Sequence, residues 1–204
     1  MLDSPEFTFL EIGANDGVCN DPIRPYVAKY HWSGVLVEPQ REAFQALCAN
    51  YSGETQLRFE NVAISARAGS QLFYSVDRTR PGMNDQTDQL ASFMREVVMS
   101  HCKYIPGLAD ALVTEEVPCM TFSELLSKHD LRRLDLLQID TEGYDYEIIK
   151  TIDFGKVKPR IIHYEHIHLK AADREACIKL LVGEGYQIAV LGSFDTLAYQ
   201  PTCT

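Results

Sequence analysis

The sequence has no long hydrophobic run, no basic leader and no paired cysteines, and each absence excludes a class of protein. No apolar stretch among the 204 residues is long enough to cross a bilayer, so we expect no membrane partner. No basic and then apolar segment opens the chain, so secretion is not indicated. The six cysteines stand singly without a CxxC motif, which disfavours zinc ribbons and redox motifs and favours reduced thiols.

Positive charge is also scarce, since the formal net charge is −10. A protein that grips a phosphate backbone needs a basic face, so we expect no nucleic-acid partner. The acidic balance is typical of a cytoplasmic protein that acts on small or neutral substrates. The length and the 46% content of hydrophobic residues predict one globular domain, residues 1–204, with a sizeable core.

Short apolar runs alternate with helical patterns along most of the chain. Strands are predicted at 7–12, 34–39, 57–65, 67–76, 134–140 and 159–166, and helices at 40–51, 121–130 and 171–181. This alternation predicts a doubly wound, mostly parallel α/β sheet of seven strands. Two further strands, 186–191 and 195–200, are too close in sequence for a crossover, so they form an antiparallel hairpin at one edge.

Two features of the middle of the chain are less regular. The turn at Gly69 indicates that 67–76 pairs with 57–65 as a hairpin. Residues 77–118 begin with polar positions, including 84–86, and become weakly helical over 90–101. The segment is too long for a plain connection between strands. Long insertions are often binding loops, so we predict a lid over the substrate, with a surface insertion as the alternative.

Polar residues follow four of the predicted strands at the point where each strand ends. They are Glu11, Gly13, Asn15, Asp16 and Gly17; Glu38 and Pro39; Asp140, Thr141, Glu142 and Gly143; and His163, Tyr164, Glu165 and His166. In a doubly wound sheet, ligands bind beyond the carboxyl ends of the strands. We therefore predict that the four strand ends form one site.

The turn after the first strand, LEIGANDG, places two glycines around an acidic loop. Gly13 and Gly17 would allow close approach of the backbone to a ligand, although an ordinary tight turn also uses glycine. The turn lacks the middle glycine of the dinucleotide motif GxGxxG, and Glu11 and Asp16 would repel a pyrophosphate. Glu38 lies where an acidic residue binds ribose hydroxyls. Together these residues favour a cationic nucleoside, S-adenosylmethionine.

Five motifs carry a resemblance to a known family: LEIGANDG, VLVEP, NVAIS, LLQIDTEGYDYEIIK and PRIIHYEH. In this order and at these spacings, the chain resembles the FkbM family of class I S-adenosylmethionine-dependent methyltransferases over nearly its whole length. The segment IDTEGYDYEIIK is the most specific part. Family members mostly methylate hydroxyls of sugars, polyketides or other natural products. The resemblance therefore implies an O-methyltransferase with a small-molecule or glycan acceptor.

The resemblance also implies which residues hold the cofactor. They are Glu11, Gly13, Asn15 and Gly17 beneath the methionine part, Glu38 at the ribose, Pro39 and Ala63 at the adenine, and Asp140 near the methionine end. Glu142 and Glu165 would face the acceptor.

Methyl transfer to a hydroxyl needs a base, and the candidates are Glu142, His163, Glu165, His166 and His168. Strand alternation places Glu165 and His166 on opposite faces, so we take either as the base, with Glu142 close by. The alternative for Glu142 is a cap on the helix that follows. His101, like His31 and His129, is expected to be a surface or capping residue.

Three alternatives concern the ligand and the chemistry. We predict no metal ion, but Asp140, Glu142 and nearby histidines could hold Mg²⁺ or Ca²⁺, or Zn²⁺ or Mn²⁺ if imidazoles take part. A nicotinamide-dependent oxidoreductase on a similar sheet is a second function to weigh. A non-catalytic protein that binds S-adenosylmethionine is a third.

Overall fold

Seven strands form one sheet whose order places the first strand near the middle. The computed structural model describes residues 3–4, 6–83 and 87–201. The predicted polar positions 84–86 and the sixth cysteine, Cys203, therefore lie outside the described residues. From one edge to the other the strands are Leu57–Glu60 (β3), Ser33–Val37 (β2), Thr8–Ile12 (β1), Leu136–Ile139 (β7), Ile161–Glu165 (β8), Asp195–Tyr199 (β10) and Gln187–Leu191 (β9). The five from β3 to β8 are parallel, and β10 is antiparallel to both of its neighbours. The predicted mixed sheet with a C-terminal hairpin is confirmed.

Helices cover both faces of this sheet. Those that pack on it are Arg24–Tyr30 (α1), Arg41–Asn50 (α2), Phe122–Lys128 (α5), Asp145–Ile149 (α6) and Ala171–Gly183 (α7). Two more helices, Arg95–Ser100 (α3) and Leu108–Ala111 (α4), lie in the insertion. On β1, Leu10 and Ile12 pack in the core that includes α5, α6 and α7, whereas Phe9 packs in the core that includes α1 and α2. Alternate side chains of a strand point to opposite faces, so this division makes the sheet doubly wound. Within the described part of the chain, no helix has the length and apolar character needed to cross a bilayer.

A second, three-stranded sheet differs from the prediction. The predicted strand 57–65 is interrupted, because Ala63–Ile64 (β4) leaves the main sheet and pairs with Leu112–Met120 (β6). The predicted hairpin is wrong, since Gly69–Val76 (β5) pairs antiparallel with β6 and not with 57–65. Strand β6 includes residues 112–118, which the sequence pattern assigns to the insertion. Its residues 113–116 are all exposed, so the strand shows no apolar alternation there.

The rest of the insertion packs against β5. Within the weakly helical stretch predicted over 90–101, residues 95–100 form α3, and the insertion also contains α4 and two short 3₁₀ turns, Thr87–Gln89 and His101–Lys103. Ser92 and Tyr74 exchange backbone hydrogen bonds of 2.9 Å in both directions, and Leu90, Val98 and Leu108 pack in one apolar cluster. The segment is therefore anchored to β5 through both its backbone and its side chains.

The turn after β1 passes directly over the end of β7. Gly13 has φ +88°, and a Cβ atom added there would lie 1.7 Å from the carbonyl oxygen of Asp140. The N–H of Gly13 donates to the carbonyl of Val37, and the N–H of Asp140 donates to that of Ile12. The ends of β1, β2 and β7 are thus held together by backbone contacts that leave no space for a side chain.

We expect Gly13→Ala to destabilise the protein strongly. The substitution combines a positive φ with a steric overlap against backbone, so the free energy of unfolding should fall by at least about 3 kcal/mol. Gly53→Ala is the matched control, because a Cβ added at Gly53 would meet no atom within 4 Å beyond its chain neighbours. Its effect should stay within about 0.5 kcal/mol. Urea denaturation of both variants checks this, and a Gly13→Ala protein as stable as the wild type would contradict it.

Candidate functional site

A cavity lies at the carboxyl ends of β1, β2, β7 and β8. It holds about 190 Å³ of free space, so side chains do not plug this edge of the sheet. The predicted site residues that line it are Glu11, Gly13, Asn15, Glu38, Pro39, Ala63, Asp140, Glu142 and Glu165. The four strand ends singled out in the sequence therefore meet at one place.

Two predicted site residues are not among those that line this cavity. Gly17 packs against the helix α2, where a Cβ would come within 2.6 Å of Leu47 and Tyr51. His166 is 1% exposed, and its Nδ1 lies 2.9 Å from the Oγ1 of Thr196. Because Glu165 lines the cavity, strand alternation directs the next side chain away from it. The structure gives Gly17 and His166 packing contacts within the fold.

Backbone N–H groups hold the Glu38 carboxylate in place. Its Oε2 accepts from the N–H of Asn15 at 2.9 Å, and its Oε1 accepts from that of Gln40 at 2.8 Å. The amide of Asn61 donates to the carbonyls of Glu38 and Pro39, which ties the following loop to the same point. Burial raises the pKa of Glu38 to about 7, although the two backbone N–H groups oppose the shift. The carboxylate is thus fixed at the end of β2 with lone pairs to spare for a ligand.

Glu11 is buried without a full set of partners. Its residue exposure is 3%, and its Oε2 has no hydrogen-bond partner within the described part of the chain. Burial, and then the nearby carboxyls of Asp21 and Asp140, raise its pKa well above the usual range. A buried carboxylate without a partner is costly, so this group needs either a proton or a positive ligand.

On the other side of the cavity, three carboxyls gather near one histidine. Burial, followed by the charges of Asp140 and Glu142, raises the pKa of Glu165. Burial and the same Glu142 charge raise the pKa of Asp140, which also borders the cavity. The Nε2 of His168 lies 3.1 Å from the Oε2 of Glu142 and 3.7 Å from that of Glu165.

The turn between β7 and α6 presents Glu142 to this group. Glu142 and Gly143 both have positive φ, 51° and 93°, so the chain bends sharply before the helix. Among the described residues, no side chain caps the first turn of α6. The alternative in which Glu142 caps this helix is therefore not supported. Buried Asp145 instead braces the turn, because it accepts from the Thr141 hydroxyl at 3.0 Å and from the Glu165 N–H at 3.2 Å.

Aromatic rings form one wall of the cavity. Phe93 of the insertion makes edge-on contacts with Phe73 of β5 and with Tyr144, at ring-centroid distances of 5.3 and 4.9 Å. These residues come from three separate segments and have no common spacing in the sequence. No pattern in the chain could have identified them as one surface.

The charge of the cavity decides which ligands it suits. Of the described residues that line it, six are acidic and none is basic. Such a surface repels a pyrophosphate and attracts a cation. The unpartnered oxygen of Glu11, which lines the cavity beside Gly13, provides a place where a positively charged ligand fits.

A comparison with solved structures finds a methyltransferase of similar fold. The chain is similar to precorrin-6y C5,15-methyltransferase from Geobacter metallireducens GS-15, with 12% identity, a TM-score of 0.50, and coverage of 97% of this chain and 82% of that chain. It also matches the Methanococcus jannaschii fibrillarin pre-rRNA processing protein with 10% identity and a TM-score of 0.49, over 98% of this chain and 69% of that chain. No curated protein has a sequence that matches this chain.

The match to a protein family covers most of the sequence. Residues 11–194 match the methyltransferase FkbM domain, so the resemblance found in the motifs is confirmed. A methyltransferase family favours transferase chemistry over the nicotinamide-dependent alternative, and class I methyltransferases use S-adenosylmethionine. The chain belongs to the FkbM methyltransferase family.

Proposed function

We propose that the protein is an S-adenosylmethionine-dependent O-methyltransferase that acts on a hydroxyl of a small molecule, sugar or natural product. The observation that carries this proposal is the charge of the cavity, whose described lining has six acidic residues and no basic one. A sulfonium nucleoside offsets this charge, whereas a polyanionic cofactor or acceptor adds to it. The same charge disfavours a nucleic acid as the acceptor.

The cofactor is proposed to lie along the ends of β1, β2 and β7. Glu38 would accept hydrogen bonds from the ribose hydroxyls, because two backbone N–H groups already orient its carboxylate. Gly13 and Asn15 would lie beside the methionine part of the cofactor. The unpartnered oxygen of Glu11 would face the positive charge of the cofactor. Pro39 and Ala63 border the cavity where the adenine would lie.

The acceptor is proposed to enter beside Glu165 and Glu142. Bound S-adenosylmethionine supplies an electrophilic methyl group. The chain then has to position the acceptor oxygen and take up its proton. Glu165 lines the cavity, and its Oε2 lies 3.7 Å from the Nε2 of His168. We assign the role of base to Glu165, with Glu142 beside it. His166 has no role in this proposal, because it is not among the residues that line the cavity.

The insertion is proposed to act as a lid on a single methyltransferase domain, residues 1–204. Gln89, Ala91 and Phe93 from the segment 77–118 line the cavity. Phe93 and Tyr144 would present an apolar surface to the acceptor. An aromatic wall beside carboxylates suits a neutral, partly apolar molecule with a hydroxyl group.

Glu38→Ala should weaken the binding of S-adenosylhomocysteine by at least about tenfold, because it removes hydrogen bonds to a charged acceptor. Glu38→Gln, which keeps one carbonyl oxygen, should lose less. Isothermal titration calorimetry measures both, and Glu42→Gln on the exposed first turn of α2 is the control. If Glu38→Ala binds S-adenosylhomocysteine as tightly as the wild type, Glu38 does not bind the ribose.

Binding of S-adenosylmethionine near pH 7 should release protons. The raised pKa values of Glu11, Glu38, Asp140 and Glu165 keep part of these carboxyls protonated in the free protein. A cation beside them lowers their pKa values, so on the order of one proton should leave. Calorimetry in buffers of different ionisation enthalpy measures this number. S-adenosylhomocysteine, whose sulfur is neutral, should release fewer protons, and equal release for both ligands would contradict the charge argument.

The reaction itself is tested with labelled S-adenosylmethionine and a panel of hydroxylated sugars and natural products. We expect methyl transfer to a member of the panel, and a rate about 100-fold lower or more in Glu165→Gln, because the base is lost. Glu175→Gln on the exposed side of α7 should keep the wild-type rate. A protein that binds the cofactor but methylates none of the panel would support the non-catalytic alternative.

A further inference from the structure

Five side chains that can bind a metal converge beside the acceptor end of the cavity. Ligand atoms of His101, Glu142 and His168 lie within 4.8 Å of one another, and so do those of Asp140, Glu142 and Glu165. Glu142 belongs to both groups, so it joins them into one cluster of two imidazoles and three carboxyls. The ligands come from the insertion, from the turn after β7, and from the end of β8 and the residues that follow it.

Two distances within the cluster are close to the edge of a metal coordination shell. Ligand atoms about 2.0–2.2 Å from a metal ion lie roughly 3.0–3.5 Å from each other. The Nε2 of His168 is 3.1 Å from the Oε2 of Glu142 and 3.7 Å from the Oε2 of Glu165. A small movement of these side chains would let all three atoms face one ion.

Two of the carboxylate oxygens have no other partner. The Oε2 atoms of Glu142 and Glu165 are buried, and neither has a hydrogen bond to any described residue. Their side chains are only 16% and 15% exposed. Buried carboxylate oxygens are normally hydrogen-bonded or bound to a metal, and apart from the contact with His168 no hydrogen bond within the described residues satisfies these two.

The second histidine is oriented as a metal-binding histidine is. The Nδ1 of His101 lies 3.1 Å from the carbonyl oxygen of Val97. A carbonyl can only accept, so Nδ1 carries the proton and Nε2 keeps its lone pair. Histidine ligands commonly hold the metal with one nitrogen and donate to a carbonyl or carboxylate with the other. The His101 and His168 rings lie close together, with a centroid distance of 5.3 Å.

We propose that His101, Glu142, Glu165 and His168, with Asp140 at the cavity side, form a binding site for a divalent transition-metal ion. Mixed imidazole and carboxylate ligands suit Mn²⁺ or Zn²⁺ better than Mg²⁺ or Ca²⁺, which prefer oxygen ligands alone. This departs from our expectation of no metal. The site shares Glu142 and Glu165 with the proposed reaction, but binding of the ion can be measured without the reaction or its cofactor.

A metal at this place would connect the insertion to the main sheet. His101 begins a 3₁₀ turn of the insertion, whereas Glu165 ends β8. The ion would also offset the negative charge that Asp140, Glu142 and Glu165 bring to the same point. If the proposed function holds, an acceptor hydroxyl that reaches the ion would lose its proton more readily.

The test measures metal binding without a methyltransferase assay. The full chain is treated with EDTA, dialysed and titrated with Mn²⁺, while electron paramagnetic resonance follows the free ion, and calorimetry with Zn²⁺ provides a second titration. We expect one equivalent to bind and the melting temperature to rise with metal concentration. His101→Ala and His168→Ala should each weaken binding by at least about tenfold.

His31→Ala is the matched control, because this histidine is 71% exposed and its Nδ1 contacts only Glu54, at 3.8 Å, among the ion pairs of the described residues. It should bind Mn²⁺ like the wild type. Absence of binding by the wild type, or equal affinity in His101→Ala, His168→Ala and the wild type, would overturn the proposal. Circular dichroism checks that each variant is folded in the absence of metal. S-adenosylhomocysteine binding, measured with and without EDTA, separates the two proposals. Absence of binding in both conditions would count against the cofactor site alone.

Discussion

The backbone contact between Gly13 and Asp140 is the constraint on which the site depends. The turn after β1 passes so close to the end of β7 that only a glycine fits between them. This contact brings the methionine side of the proposed cofactor site to the strand that carries the acceptor side. Any side chain at Gly13 would separate β1 from β7 at the point where the two halves of the cavity meet. The packing of the backbone therefore comes first, and the placement of the acidic residues follows from it.

The closeness of these strand ends has an electrostatic consequence. Carboxyls brought to one edge of a parallel sheet are both desolvated and near one another, and both effects raise their pKa values. Burial is the largest cause for Glu11, Glu38, Asp140 and Glu165 alike. The fold tolerates this because several of the carboxyls can hold protons until a cation arrives. Such a cavity discriminates between ligands by their charge, independently of their shape and hydrogen bonds.

The regular part of the molecule could be predicted from the sequence, because local patterns carry it. Apolar runs ending in Glu11, Glu38, Asp140 and Glu165 indicate the parallel strands and the edge where their polar residues meet. The capping box at Thr121 is likewise a local signal, and the structure shows both of its hydrogen bonds. Such signals need only a few neighbouring residues, and at these positions the tertiary packing agrees with them.

The parts that could not be predicted depend on contacts between distant residues. Strand β6 is exposed along its first half, so its apolar pattern is missing, and its pairing with β4 and β5 is decided by the tertiary structure. His101 has the sequence context of a surface residue, because nothing near it in sequence is a ligand. Its neighbour in space, His168, is 67 residues further along the chain, as the two residue numbers show. The sequence favours His166 over His168, because a strand pattern reveals which residues share a face but not which residue of the following loop lies beside Glu142 and Glu165.

The insertion is an integral part of the site, because one buried residue connects it to both sheets. The Ser92 hydroxyl donates to the carbonyl of Glu142 at 2.8 Å, while the Ser92 backbone pairs with Tyr74 of β5. Glu142 has a positive φ, a conformation that costs a non-glycine residue about 1 kcal/mol or more, and the Ser92 hydrogen bond helps to offset that cost. The next residue, Phe93, forms the aromatic wall of the cavity. A change in the insertion would thus move the wall and the Glu142 turn together, so the shape of the proposed acceptor pocket and the position of its carboxylates are coupled through Ser92.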